Sequence, residues 1–200
     1  MSKLIVKDLC CQRGYNQLFS DLSFEVSSSN ILRITGPNGS GKTSLLKILA
    51  GLNASENGTV YLNDFNVNSY EYQQHVFYLG HSQALSSELS VIENLEFLMS
   101  LKDTVDRKIL TESLVKIGLQ GYRDEYCSKL SAGQKRRVIL AGLFISNAKV
   151  WLLDEPFTAL DSEGIRIVEK LIKEHCDAGG ICLFTTHQDS ALDNQMVLAL

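Results

Sequence analysis

The 200-residue sequence has only two prolines, one tryptophan and no apolar run long enough to span a bilayer. A membrane span needs about 18 to 20 consecutive apolar residues. The longest candidate, Val138 to Ile145, suits a buried helix instead. Attachment to a membrane is therefore expected only through partner proteins. A basic stripe is missing too: 19 Lys and Arg stand against 23 Asp and Glu, a net charge of -4, so nucleic acid is not expected as a partner. Met1-Ser2-Lys3-Leu4 runs directly into a strand pattern, so no signal peptide is expected. Internal repeats, low-complexity stretches and linkers are absent. With 44% hydrophobic residues, a single domain over residues 1–200 can bury a substantial core. The five cysteines form no C-x-x-C pair and have no histidine at zinc spacing, so reduced, partly buried thiols of a cytosolic protein are expected.

Against these absences stand several short motifs. Gly36-Pro37-Asn38-Gly39-Ser40-Gly41-Lys42-Thr43 fits the phosphate-loop pattern G-x-x-x-x-G-K-[ST]. Ile31 to Thr35 before it reads as a short buried strand. Ser44 to Ala50 after it carries apolar residues at helical spacing, and Gly51 is placed to end that helix. The glycines allow a tight wrap that points successive N–H groups inward, and the positive end of the following helix adds to the field. Lys42 is expected to reach the β- and γ-phosphates and the Thr43 hydroxyl to bind Mg²⁺.

Val150 to Leu153 is an apolar run suited to a central strand of a parallel sheet, and Asp154-Glu155 follows it. Asp154 is expected to hold Mg²⁺. Glu155, where the strand opens into a loop, is placed to orient or deprotonate an attacking water. Together the two motifs predict binding and hydrolysis of a nucleoside triphosphate.

Leu130-Ser131-Ala132-Gly133-Gln134 opens a second helix, Thr158-Ala159-Leu160-Asp161 follows the acidic pair, and His187 follows the apolar strand Ile181 to Thr185. With these motifs in this order, the chain resembles the nucleotide-binding subunits of ABC transporters from about residue 3 to residue 190. The resemblance implies ATP and Mg²⁺ as ligands, bound by Gly36 to Ser44. It also implies a homodimer that closes on ATP, with Ser131 and Gly133 of one copy contacting the γ-phosphate held by the other, and Gln134 of the same motif at the nucleotide. Asp161 would lie in the loop that crosses the dimer seam, and His187 would sense the γ-phosphate. Lys42, Glu155 and His187 would form the catalytic set.

Two positions depart from the family pattern. Where the family has a coupling glutamine, a gapless count gives His81, with Gln83 two residues on. Where the family stacks an aromatic ring on adenine, the count gives Arg13, with Tyr15 two residues on. Tyr78-Leu79-Gly80-His81, Leu130 to Val138, Leu153 to Asp161 and Thr185-Thr186-His187-Gln188-Asp189 are similar to the ATPase subunits of cytochrome c maturation transporters. That likeness implies haem handling with separate integral membrane subunits, at the cytoplasmic side of a bacterial inner membrane. An ABC ATPase for another cargo, or one working without membrane subunits, would share the nucleotide motifs.

The resemblance implies a P-loop NTPase of the α/β class with a parallel core sheet, an antiparallel β layer and a helical signature subdomain near residues 85–145. Leu4 to Val6, Leu22 to Val26 and Asn57 to Asn63 read as strands of the antiparallel layer. Ser90 is expected to cap a helix to Leu101, with Glu93 completing a capping box. A second helix is expected over Thr104 to Ile117, ended by Gly118. From Lys149 strands and helices should alternate, with Ser162 capping a long helix to Ala178 that Gly179-Gly180 ends.

Overall fold

The computed structural model describes residues 1–80, 85–100, 106–187 and 191–200, with Ser100 described in its backbone only. The chain forms two compact units, one of Met1–Gly80, Ala148–Pro156 and Ile172–Leu200, the other of His81–Asn147 and Phe157–Leu171.

In the first unit, alternating residues fold as the antiparallel pair β1 (Lys3–Arg13) and β2 (Asn16–Ser27). Strand β1 also pairs with β4 (Asn57–Leu62), and β4 pairs with the short β5 (Phe65–Asn66), giving the order β2-β1-β4-β5. The ladders are irregular between Val6 and Cys11, where Asp8 takes a positive φ of 50°, as at a bulge. A second sheet is wholly parallel, in the order β6-β7-β8-β3-β9, built from β3 (Ile31–Thr35), β6 (Val76–Leu79), β7 (Val150–Leu153), β8 (Ile181–Thr185) and β9 (Met196–Ala199). Every residue of β7 and β8 is buried, as continuous apolar runs in central parallel strands require. Helix α1 (Lys42–Leu49) places Leu45, Leu46 and Leu49 in the core that Ile34, Leu152 and Leu183 line from the sheet. Helix α2 (Tyr70–Gln74) buries Tyr72, whose hydroxyl donates to the Leu49 carbonyl at 2.6 Å.

The second unit is helical. Helices α3 (Val91–Ser100), α4 (Arg107–Lys116) and α5 (Ala132–Ile145) enclose Val91, Leu95, Leu110, Leu114, Val138 and Ala141. At the start of α3 the Ser90 N–H donates to Glu93 Oε2 at 2.8 Å and the Glu93 N–H to Ser90 Oγ at 3.3 Å, the reciprocal bonds of a capping box. Helix α6 (Ser162–Asp177) begins in this unit and ends in the first, where Gly179 takes a φ of 91° and stops it.

Three boundaries differ from the sequence expectation. Helix α4 starts at Arg107 because Asp106 supplies the cap, its side chain accepting the Lys108 N–H at 2.9 Å; Thr104 lies outside the described residues. The cap of α6 is Asp161, not Ser162: Asp161 Oδ1 accepts the Gly164 N–H at 2.8 Å, and Ser162 is already helical. After β8 the expected further helix does not form in residues 191–195, and β9 follows as an edge strand.

Candidate active site

Sheet order decides what meets in the first unit. Strands β7, β8 and β3 are neighbours and run in one direction, so their carboxyl ends deliver Asp154-Glu155, Thr186-His187 and Gly36 to Thr43 to one edge. Open parallel sheets bind ligands at that edge.

The loop after β3 wraps through left-handed backbone at Gly36, Gly39 and Gly41, with φ of 147°, 87° and 105°. Gly36 must be glycine on space as well: a Cβ there would stand 2.6 Å from Ser40 Oγ and 2.7 Å from the Leu200 carbonyl oxygen. Pro37, Asn38 and Gly39 form the exposed rim, and the Ser40 N–H closes the turn on the Pro37 carbonyl at 3.2 Å. Gly41 occupies the N-cap of α1 and provides no side chain to cap it, so the first N–H groups of the helix face the loop as an anion site. Lys42, 8% exposed, donates from Nζ to the carbonyls of Gly36 at 2.7 Å and Pro37 at 3.0 Å. Ser40 Oγ is buried inside the loop and has no hydrogen-bond partner among the described residues, a polar group that a ligand oxygen could meet. Ser44 is buried, while Thr43 is exposed at the first turn of α1.

At the end of β7, Asp154 is 1% exposed, and the Thr185 hydroxyl donates to its Oδ1 at 2.8 Å. The same hydroxyl accepts the Glu155 N–H at 2.9 Å. Glu155 has a φ of 52°, a conformation that costs a residue with a side chain on the order of 1–3 kcal/mol and that concentrates at functional sites. Nε2 of His187 stands 3.4 Å from Glu155 Oε1; the imidazole is half exposed and the carboxylate mostly buried. Tyr78 on β6 is half-buried, and burial, aided by the Asp154 carboxylate, raises its phenol to about 12, so it stays protonated. Among the described residues no group of three or more His, Cys, Asp or Glu could hold a metal alone. The oxygens of Thr43 and Asp154 suit a small hard cation that keeps water and takes phosphate oxygens as further ligands.

The second unit presents Ser131, Gly133 and Gln134 at the start of α5. Ser131 Oγ accepts the Gln134 N–H at 3.2 Å, and Gln134 Oε1 accepts the Ser131 N–H at 2.9 Å, so the loop is fixed by its own helix. Gly133 lies so near the loop before α6 that a Cβ would stand 2.8 Å from the Ala159 carbonyl oxygen. An open cavity of about 580 Å³ is lined by Tyr122, Ser131, Gly133, Gln134, Arg137 and Asp161, among others. Of these, Arg137 bonds Asp161, and the Gly164 N–H and then this guanidinium hold the Asp161 carboxyl below its usual range.

Arg13 and Tyr15 are both exposed at the tip of the β1–β2 hairpin, and neither is distinguished by a contact that fixes an adenine. His81 and Gln83 lie outside the described residues. Sequence reasoning gave no role to Thr185 or Arg137. The available signal for Thr185 was a hydroxyl ending an otherwise apolar buried strand, where it must find a partner. All five cysteines are free; Cys11, Cys127, Cys176 and Cys182 are buried, and burial raises their thiols.

The model of the ABC transporter family matches residues 19–158. The Cytochrome c biogenesis ATP-binding export protein CcmA of Aliivibrio fischeri is 40% identical over 193 residues, covering 96% of this chain and 95% of its own. The protein of that name from Vibrio cholerae is 42% identical over 194 residues, covering 96% of this chain and 94% of its own. Among solved structures, a Pyrococcus furiosus protein described as an ABC transporter ATP-binding protein superposes with a TM-score of 0.86 at 24% identity, covering 99% of this chain and 97% of its own. The dimeric post-hydrolysis structure of the ATP-binding cassette MJ0796, bound to ADP and Pi, superposes with a TM-score of 0.79 at 24% identity, covering 92% of this chain and 88% of its own. At that identity the two structural matches speak to fold.

Proposed function

This chain belongs to the ABC transporter family, whose members bind and hydrolyse ATP, and we propose that it is the ATPase subunit of a transporter for haem handling in c-type cytochrome biogenesis. The observation that carries the hydrolytic part is the convergence, at one edge of the parallel sheet, of the glycine loop with buried Lys42, the Asp154-Glu155 pair and His187.

The chemistry follows from that edge. The loop N–H groups, the start of α1 and Lys42 bind the phosphates of ATP. Phosphate oxygens would give the Lys42 ammonium stronger, charge-assisted acceptors than the carbonyls of Gly36 and Pro37. Thr43 and Asp154 would hold Mg²⁺, which neutralises charge on the transferring phosphoryl group. Glu155 accepts the proton of the attacking water, or orients that water. His187, 3.4 Å from Glu155, bonds the γ-phosphate from the same side. By the family resemblance, a second copy of the chain contacts the γ-phosphate through Ser131 and Gly133, so the functional form is a homodimer with two ATP molecules at its seam. Hydrolysis then depends on closure, and closure moves separate membrane subunits.

Several observations support membrane partners and haem. Relatives named as cytochrome c biogenesis export proteins match nearly the whole chain at 40% identity and above. Among the described residues no helix is long and apolar enough to cross a membrane, so partner subunits would hold the protein at the cytoplasmic face of the bacterial inner membrane. The test is covalent haem in c-type cytochromes, read by haem staining in a bacterium lacking the gene. Complementation by the parent but not by Glu155→Gln is the expected result. Normal cytochrome c without the gene, in a strain with no second route, would discard the haem assignment and leave an ABC ATPase for another cargo.

A further inference from the structure

We infer that Thr185 is a positioning residue for ATP hydrolysis, one hydroxyl that holds the Asp154 carboxylate and the Glu155 backbone N–H together; this rests on the ATPase reading above. The residue is fully buried at the end of β8, next to the strand that ends in Asp154. Its hydroxyl proton goes to Asp154 Oδ1 at 2.8 Å, and its oxygen accepts the Glu155 N–H at 2.9 Å. A hydroxyl can do both at once because it carries one donor and two acceptor sites.

The two bonds do different work. The first selects the orientation of the carboxylate assigned to Mg²⁺. The second fixes the peptide that carries Glu155 into its left-handed conformation, with φ of 52°. A residue in that conformation relaxes towards ordinary backbone unless its surroundings hold it. Relaxation would swing the Glu155 side chain away from its place beside His187. Thr185 also stands two residues before His187 on the same chain segment, so one residue fixes the metal-side carboxylate and the base relative to the strand that delivers the histidine. An aliphatic residue of the same shape would fill the space and hold neither group.

The experiment compares the parent with Thr185→Val and Thr185→Ser. Nucleotide affinity is measured with a fluorescent ATP analogue, in EDTA and across a Mg²⁺ titration, beside steady-state hydrolysis. Thr185→Val should bind nucleotide in EDTA as the parent does but need several-fold more Mg²⁺ for half-saturation. Its kcat should fall roughly ten- to a hundredfold, with KM for Mg-ATP moving less than about threefold. Thr185→Ser, which keeps the hydroxyl, should restore kcat to within about threefold of the parent. Parental kcat and Mg²⁺ dependence in Thr185→Val would overturn the inference. So would a Thr185→Ser as slow as Thr185→Val, because the role would then be one of packing. Should Thr185→Val not fold, Thr185→Cys, similar in size and only a weak donor and acceptor, is judged by the same criteria. A parent without ATP turnover would instead remove the ATPase reading, an outcome distinct from either of these.

Discussion

Arg137 Nη2 stands 2.5 Å from Asp161 Oδ1, which ties the second turn of α5 to the cap of α6. The same carboxylate oxygen accepts the Gly164 N–H, and Arg137 Nη1 reaches the Ile117 carbonyl at 3.4 Å. Two segments assigned to the dimer seam, the loop at Ser131 and the loop ending in Asp161, are thus held by one guanidinium. The bond from Gly164 and then the ion pair lower the Asp161 carboxyl from its ordinary value of about 3.9. A carboxyl lowered on folding adds stability that is complete above its unfolded value and is lost as pH falls through its folded value. The difference in melting temperature between the parent and Asp161→Asn should therefore persist at pH 7 and close as the solution is acidified below about pH 4. In a carboxyl-carbon NMR titration, Arg137→Ala should raise the Asp161 midpoint towards the ordinary value, while the bond from the Gly164 N–H survives. A midpoint that ignores the substitution would show that the ion pair does not persist in solution.

Lys42 is the cation that the phosphate loop encloses, and its ammonium meets only carbonyl oxygens of that loop in the hydrogen bonds described. Lys42→Ala removes the one full positive charge that the loop sequence supplies. Charge-assisted bonds are about twice as strong as neutral ones, so nucleotide affinity should fall by roughly a hundredfold or more. Equilibrium titration with a fluorescent nucleotide checks this, and circular dichroism should show the fold retained. Tight binding by Lys42→Ala would remove the phosphate-loop assignment.

What the sequence made legible was local. The phosphate loop, the apolar β7 and the box of Ser90 and Glu93 each depend on residues within a few positions of one another, so their spacing is visible in the chain. The cap of α6 was placed one residue late because Asp161 and Ser162 are both cap formers, and only the bond to Gly164 distinguishes them. The start of α4 follows the Asp106 cap, which the helical period over Thr104 to Ile117 does not mark. For Thr185 the chain shows only a hydroxyl that ends an apolar strand and needs a partner, not which partner it finds. Its partner Asp154 is 31 positions away, and the bond exists because β7 and β8 are neighbours in the sheet. Neighbour relations of that kind arise from strand order, which motif spacing does not encode.

Gly36 offers a test of the loop's shape apart from its charge. An alanine there would press its Cβ against Ser40 Oγ and the Leu200 carbonyl, at a φ that side chains avoid. Gly39→Ala would meet nothing within 4 Å and carries the backbone cost alone. Gly36→Ala should cost about 1–3 kcal/mol more than Gly39→Ala, a further fall in melting temperature of several degrees. It should also weaken nucleotide binding, since Ser40 is one of the groups displaced. Equal melting temperatures for the two variants would mean that the loop relaxes around the added methyl group.

Trp151 is the only tryptophan in the chain, and His175 stacks on it with ring centroids 3.9 Å apart and planes 4° from parallel. The imidazole Nε2 lies 3.3 Å from the Ile181 carbonyl oxygen, and Gly180 leaves room for the ring, because a Cβ there would stand 2.2 Å from it. Burial lowers the His175 pKa from its ordinary value near 6.5, and the bonds to the Ile181 and Lys149 carbonyls oppose that only in part. A base lowered on folding leaves the unfolded chain holding more protons in the interval between the two values. Stability from the neutral stack is thus complete above about pH 6.5 and is lost as pH falls through that interval. Trp151 emission should stay level from pH 8 to about 6.5 and change below it, where the ring takes its proton and the stack is disturbed. The step should vanish in His175→Leu, and the parent's advantage in melting temperature over that variant should shrink across the same acid interval. A step centred above pH 6.5 would mean that the imidazole is stabilised in its charged form, contrary to the burial that the fold imposes on it.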